Sequence, residues 1–150
     1  MSNFLVRILT LIFMSFSIYG SSLDKFTFQN WSKPNLDVFY HLPDVIDENT
    51  KILFIVHGNS RNADDYLKVW IKLSEGKNVA LFAPHFKRNS FISFNTLQMS
   101  TSNGVIRANT DLYLNNSIDT LFEFIKSKFN LKSKRYDIYG HSAGAQFVHR

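Results

Sequence analysis

The chain has 150 residues, 45% of them hydrophobic and 15% aromatic, with three prolines and six glycines; this excludes a disordered tail and describes one globular domain or part of one. Its formal charge is +5, but the basic residues are scattered except for Lys126, Lys128, Lys132, Lys134 and Arg135, which read as the solvated end of a helix and its loop. No nucleic-acid module accompanies them, and the absence of cysteine excludes a disulfide framework, a thiol nucleophile and a cysteine metal site.

Residues 1–22 read as a signal peptide: Arg7 precedes the apolar run from Ile8 to Ile18, and the small residues Gly20, Ser21 and Ser22 follow. Cleavage after either Gly20 or Ser22 fits. The run falls short of the roughly 20 apolar residues that span a bilayer, which makes a permanent anchor the second choice. The expected product, residues 23–150, is exported to the periplasm or beyond.

Phe26–Phe28 and Leu36–Tyr40 are β-rich runs separated by the turn signal Lys33-Pro34-Asn35, which predicts an opening antiparallel pair. Lys51–Val56 is a continuous apolar run of the kind buried on both faces of a parallel sheet, and it ends at His57-Gly58-Asn59-Ser60. Asn62–Asp65 can cap a helix, with Asp64 and Asp65 favourable to its dipole. Its apolar stripe is Tyr66, Leu67, Trp70, Ile71 and Leu73, with Trp70 read as core packing. A buried strand over Val79–Ala83 is expected to stop at Pro84. No sustained period appears from His85 to Thr110, and loops of that length commonly border a binding site, where Asn95, Asn103 and Arg107 could meet a polar substrate. From Asp111 onward the positions Ile118, Leu121, Phe122, Ile125 and Phe129 recur at the helical interval, predicting one helix. Tyr136–Tyr139 is the next strand. The alternation of strand and helix predicts an α/β layered sheet.

That last strand runs into Gly140-His141-Ser142-Ala143-Gly144. Glycine and serine frequencies near 7% give such a Gly-x-Ser-x-Gly a roughly 5% chance of occurring in a chain of this length, so its context must carry the reading. The context is a β-prone run before it and small residues able to open a helix after it, which is what a nucleophile elbow requires. A serine on so sharp a turn takes a strained conformation, and side chains two residues away on either side would collide. Glycine removes the collision.

The order of parts over residues 36–150 resembles the N-terminal half of the α/β-hydrolase superfamily, through His57-Gly58 at the end of a buried strand and the elbow some 80 residues later. Gly-His-Ser-Ala-Gly-Ala-Gln is most similar to secreted esterases and polyhydroxyalkanoate depolymerase-like proteins. The resemblance implies an α/β-hydrolase-like fold, a mostly parallel sheet with helices on both faces, truncated after the elbow strand. It also implies that Ser142 attacks an ester carbonyl, while the amides of Ala143 and Asn59 hold the oxyanion, with Ser60 as the alternative second donor. His57, Gly58, Gly140, His141 and Gly144 are expected to shape the elbow and the loop, His57 structurally rather than by direct catalysis.

The superfamily places its acid and then its histidine after the serine. His149 lies seven residues beyond Ser142, about 10 Å along a helix, which is out of hydrogen-bond reach. His41, His57 and His85 precede the serine, and His141 is locked beside it. The sequence is therefore expected to be the N-terminal portion of a longer hydrolase and inactive by itself. A peptidase or acyltransferase on the same scaffold, or a non-catalytic binding protein of that shape, are the other readings. The expected partner is a small or polymeric ester; no metal or cofactor is implied, and the oligomeric state stays open.

Overall fold

The computed structural model describes residues 23–150. The expected signal segment, residues 1–22, lies outside the described residues. Five strands form one sheet in the order β1-β2-β4-β3-β5. The opening pair, β1 (Asp24–Phe28) and β2 (Leu36–His41), is antiparallel, and β2 also runs antiparallel to β4 (Val79–His85). β3 (Lys51–Val56) runs parallel to β4 on one side and to β5 (Asp137–Gly140) on the other. The sheet is thus mixed, parallel over β4-β3-β5 and antiparallel where the chain opens.

Alternation along β3 and β4 sorts the core onto two faces. Ile52, Phe54 and Val56 of β3 belong to a cluster with Ala80 and Phe82 of β4 and with Ile118, Leu121, Phe122 and Ile125 of α2 (Ser117–Phe129). Phe147 of the short α3 (Ala143–Val148) packs into the same cluster. Ile55, Leu81 and Ala83 face the other way and pack with Ala63 and Leu67 of α1 (Ala63–Leu73). Helices therefore cover both faces, and none in the described residues is long and apolar enough to cross a membrane. Leu73 closes the apolar stripe of α1 in sequence but is 57% exposed.

Two boundaries differ from the sequence expectation. β4 continues through Pro84 to His85, because its pairing with β3 stops at Phe82 and a missing N–H beyond that point leaves no parallel ladder bond unmade. The second helix begins at Ser117 rather than Asp111. Asn109 accepts a hydrogen bond from the Asp111 amide at 3.0 Å and caps a separate 3-10 turn over Thr110–Leu112, after which Tyr113 is extended. The local asparagine bond competes with helix there.

β5 ends the order of the described strands, and side chains pack on both of its faces. Ile138 is half-buried against the main core, and Tyr139 is 36% exposed with its ring 5.0 Å from Trp70 of α1. The unpatterned stretch after β4 is anchored rather than loose. Phe86, Phe91, Phe94 and Leu97 are all buried, and Phe86 stacks on Phe94 at 5.5 Å and meets Phe147 at 5.1 Å.

One ion cluster around the buried Asp37 ties the antiparallel strands to the start of that stretch. Asp37 of β2 accepts from Thr27 at 2.7 Å and pairs with Lys87 at 2.8 Å and Lys25 at 3.5 Å. Burial pushes its carboxyl up, but the bonds from Lys87 and Thr27 and the charges of both lysines outweigh that and hold it at about 2. A carboxylate whose pKa is lower folded than unfolded stabilises the fold above the unfolded value, and that contribution is lost as pH falls toward 2. Asp37→Asn should lower the unfolding free energy by about 1–2 kcal/mol at pH 7. In urea titrations the gap to wild type should shrink as pH drops below 4; a gap independent of pH would show the charge contributes nothing.

Candidate active site

β5 delivers the chain to a two-residue turn, His141-Ser142, from which α3 starts. Ser142 sits at φ 55°, ψ −118°, a conformation that costs a non-glycine residue on the order of 1–3 kcal/mol. The glycines on either side make room for it. A Cβ on Gly140 would stand 2.3 Å from the Gly144 carbonyl oxygen, and one on Gly144 would stand 2.3 Å from the Val56 carbonyl oxygen. No side chain fits either place, so the turn is wedged between its own helix and the end of β3.

The residues following β3 lie against this turn. A Cβ on Gly58 would stand 3.6 Å from Ser142 Cβ and 3.3 Å from the Tyr66 hydroxyl. Tyr66 is in turn 2.7 Å from His141 Nδ1, so the histidine beside the serine points toward α1. His57 is fully buried. Its Nε2 accepts from the Phe86 amide at 3.1 Å, which leaves the proton on Nδ1 to be donated to the Gly58 carbonyl at 2.8 Å. Burial, with a smaller push from the Arg61 charge, brings its pKa down to about 4 despite that carbonyl, so the ring is neutral at physiological pH.

A cleft of about 530 Å³ opens over the serine, within the range of small-molecule sites. Ser142, Ala143 and Asn59 all line it, so the three residues singled out for chemistry share one cavity. Ser142 and Asn59 are exposed, and the amides of Asn59, Ser60 and Ala143 donate to nothing among the described residues. The cleft lies past the C-terminal ends of β3 and β5, where open α/β sheets bind ligands. A larger hollow of about 660 Å³, lined by Ile46, Asp47, Glu48 and Phe129 among others, sits near the start of β3 and holds none of these groups.

Arg88, Ile92, Ser93, Asn95, Thr96 and Ser102 of the long loop form one wall, and Gln146 of α3 completes it. The loop's length pointed to this; the individual side chains other than Asn95 carried no pattern. Gln146 stands four residues after Ser142 on a helix, a spacing that could have found it, and it accepts from Asn95 at 2.9 Å. Asn103 bonds only to its neighbour Ser102 among the described residues, and Arg107 reaches Ser93 rather than the cleft. Arg61 was missed altogether. It is buried, takes φ 60°, and donates to the carbonyls of Phe86, of Phe91 at 2.9 Å and of Ile92 at 3.0 Å, with its guanidinium 4.2 Å from the Phe94 ring.

Ser142 Oγ makes no hydrogen bond among the described residues. Three of the five histidines are engaged elsewhere: His57 by two backbone groups, His141 by Tyr66, and His85 between the rings of Phe39 and His57 at 5.9 and 6.0 Å; the rings of His41 and His149 make no hydrogen bond among the described residues. No group of three or more histidine, aspartate, glutamate or cysteine residues able to hold a metal occurs among the described residues.

No protein-family model and no curated protein sequence matches the chain. Solved structures do. The chain is 35% identical to poly(aspartic acid) hydrolase-1 from Sphingomonas sp. KT-1, with a TM-score of 0.76 over 85% of this chain and 49% of that one. It is 22% identical to LpqC, a poly(3-hydroxybutyrate) depolymerase from Bordetella parapertussis, with a TM-score of 0.72 over 86% and 46%. It is 11% identical to the BES protein from Bacillus cereus, with a TM-score of 0.55 over 97% and 58%. The chain spans about half the length of the structures it matches. The sheet order, the two-sided helix layers and these likenesses together give the chain an α/β-hydrolase-like fold, over about half the length of those structures.

Proposed function

We propose that the protein is an exported serine hydrolase of the esterase type, with Ser142 as nucleophile and the amides of Ala143 and Asn59 as oxyanion donors. One observation carries the reading. A serine held at φ 55° by two glycines that admit no side chain opens on the same cleft as two unengaged backbone amides. Strain of this kind is retained where the surrounding structure enforces it and commonly serves chemistry.

In the proposed reaction Ser142 Oγ adds to the substrate carbonyl as a base takes its proton. The carbonyl oxygen gains a negative charge, and preorganised amide donors stabilise it without having to reorient. Collapse expels the alcohol, which takes up that proton, and water then releases the acid by the same steps in reverse order. Neither the base nor the acid that orients it is assigned to a described residue. His57 serves the loop instead: its two hydrogen bonds fix the chain on both sides of the cleft, from Gly58 to Phe86. The likeness to a poly(3-hydroxybutyrate) depolymerase supports an ester substrate. The higher identity to a poly(aspartic acid) hydrolase keeps amide bonds, and thus a peptidase-type reaction, as the second reading. Export rests on the apolar segment within residues 1–22.

A fluorophosphonate probe applied to the protein as its gene encodes it should label Ser142, and Ser142→Ala should abolish both labelling and turnover of p-nitrophenyl esters. Labelling elsewhere, or full activity in the alanine variant, would remove the reading. The loop role of His57 has its own signature. Because burial lowers its pKa to about 4 from 6.5, its contribution to stability is whole above pH 6.5 and declines as pH falls toward 4, by at most about 1.4 kcal/mol per unit. His57→Gln should flatten the unfolding free energy between those two pH values. An unchanged slope would mean that the ring is not buried neutral.

A further inference from the structure

The charges around the cleft are one-sided. Its lining contains one cation, Arg88, and no carboxylate; the rest is Asn59, Ser93, Asn95, Thr96, Ser102, Gln146, the serine itself and two small apolar surfaces. Two more guanidiniums are bonded directly to the back of the wall. Arg61 donates to the Ile92 carbonyl at 3.0 Å, and Arg107 reaches Ser93 Oγ at 3.4 Å. None of the three forms an ion pair among the described residues, where every salt bridge uses a lysine. Arg61 and Arg107 each also keep a buried Nε without a partner.

Three uncompensated guanidiniums from separate segments make the cleft a positive well, partly screened from water by the wall they support. Arg88 is the one that reaches the opening. It is exposed and spends only one N–H on the protein, from Nη2 to the Asn59 carbonyl at 2.8 Å. That bond holds the guanidinium beside the residue whose amide is the proposed oxyanion donor. The remaining N–H groups of a planar fork suit a carboxylate, which it can bind through two parallel bonds.

We propose that this cleft selects acyl substrates that carry a carboxylate on the acyl chain, and that Arg88 is the residue that binds that carboxylate. The proposal rests on the serine-hydrolase reading of the same site and names its substrate class. A neutral acyl chain would leave Arg88 unpaired and lay hydrocarbon over a wall of amides and hydroxyls. A carboxylated one neutralises the well and offers acceptors to those same groups.

The test compares mono-p-nitrophenyl adipate with p-nitrophenyl hexanoate, which has the same chain length and no carboxylate. For the protein as its gene encodes it, kcat/KM should favour the adipate by about tenfold, the scale of one hydrogen bond to a charged group. Arg88→Gln should collapse the ratio toward one, chiefly through KM, and Arg88→Lys should restore part of it. Raising the ionic strength from 10 mM to 500 mM should shrink the wild-type preference, as screening demands. A ratio near one in wild type, or a ratio untouched by Arg88→Gln, would overturn the proposal while leaving the serine hydrolase standing. Should neither ester be hydrolysed, the serine-hydrolase reading fails, and calorimetric binding of adipate dianion decides this one: binding lost in Arg88→Gln supports it, and no binding overturns it.

Discussion

Everything at the candidate site depends on a contact between backbones. The carbonyl oxygen of Val56, at the end of β3, occupies the space where a side chain on Gly144 would begin, and the Gly144 carbonyl does the same to Gly140. Strand, turn and helix therefore close on one another to within van der Waals distance only because both positions lack a Cβ. The residue between them, Ser142, takes the backbone strain. Parallel pairing of β3 with β5, in which Val56 stands opposite Gly140, brings the two strand ends to the same level. The loop after β3 thus starts level with the serine turn.

The second layer of organisation comes from buried polar groups that no hydrophobic pattern announces. His57 and Arg61 flank the loop after β3 and both reach across to the loop after β4, the histidine through the Phe86 amide and the arginine through three carbonyls. A buried arginine without a carboxylate partner is costly unless its donors are satisfied; here three carbonyls and an aromatic face supply most of that. The phenylalanines around it fix the same loop from below. A long segment without regular structure can then form a defined wall.

The elements with a strong period were legible in the sequence. The continuous apolar run at Lys51–Val56, the helical stripe through Ile118 and Ile125, and the Gly-x-Ser-x-Gly all took the places their residues required, because each is governed by contacts within a few residues or by one sheet. The errors have the same origin in reverse. Pro84 reads as a stop, yet it continues a strand because the neighbouring β3 no longer needs its N–H, a fact about pairing rather than about proline. Asp111 reads as a helix start, yet the side chain of Asn109 diverts the chain into a 3-10 turn. The cleft wall was expected only as a loop near the site, since Arg61, Arg88 and Gln146 gain their meaning from partners 25 to 51 positions away.

In the proposed site the glycine-locked turn presents Ser142 to two specific amides. A crystal structure of the protein after reaction with a fluorophosphonate would test it most directly. The account predicts a phosphorus bonded to Ser142 Oγ and a phosphoryl oxygen within about 3.1 Å of the amides of both Ala143 and Asn59. An adduct whose phosphoryl oxygen faces solvent, or no adduct at Ser142, would contradict it.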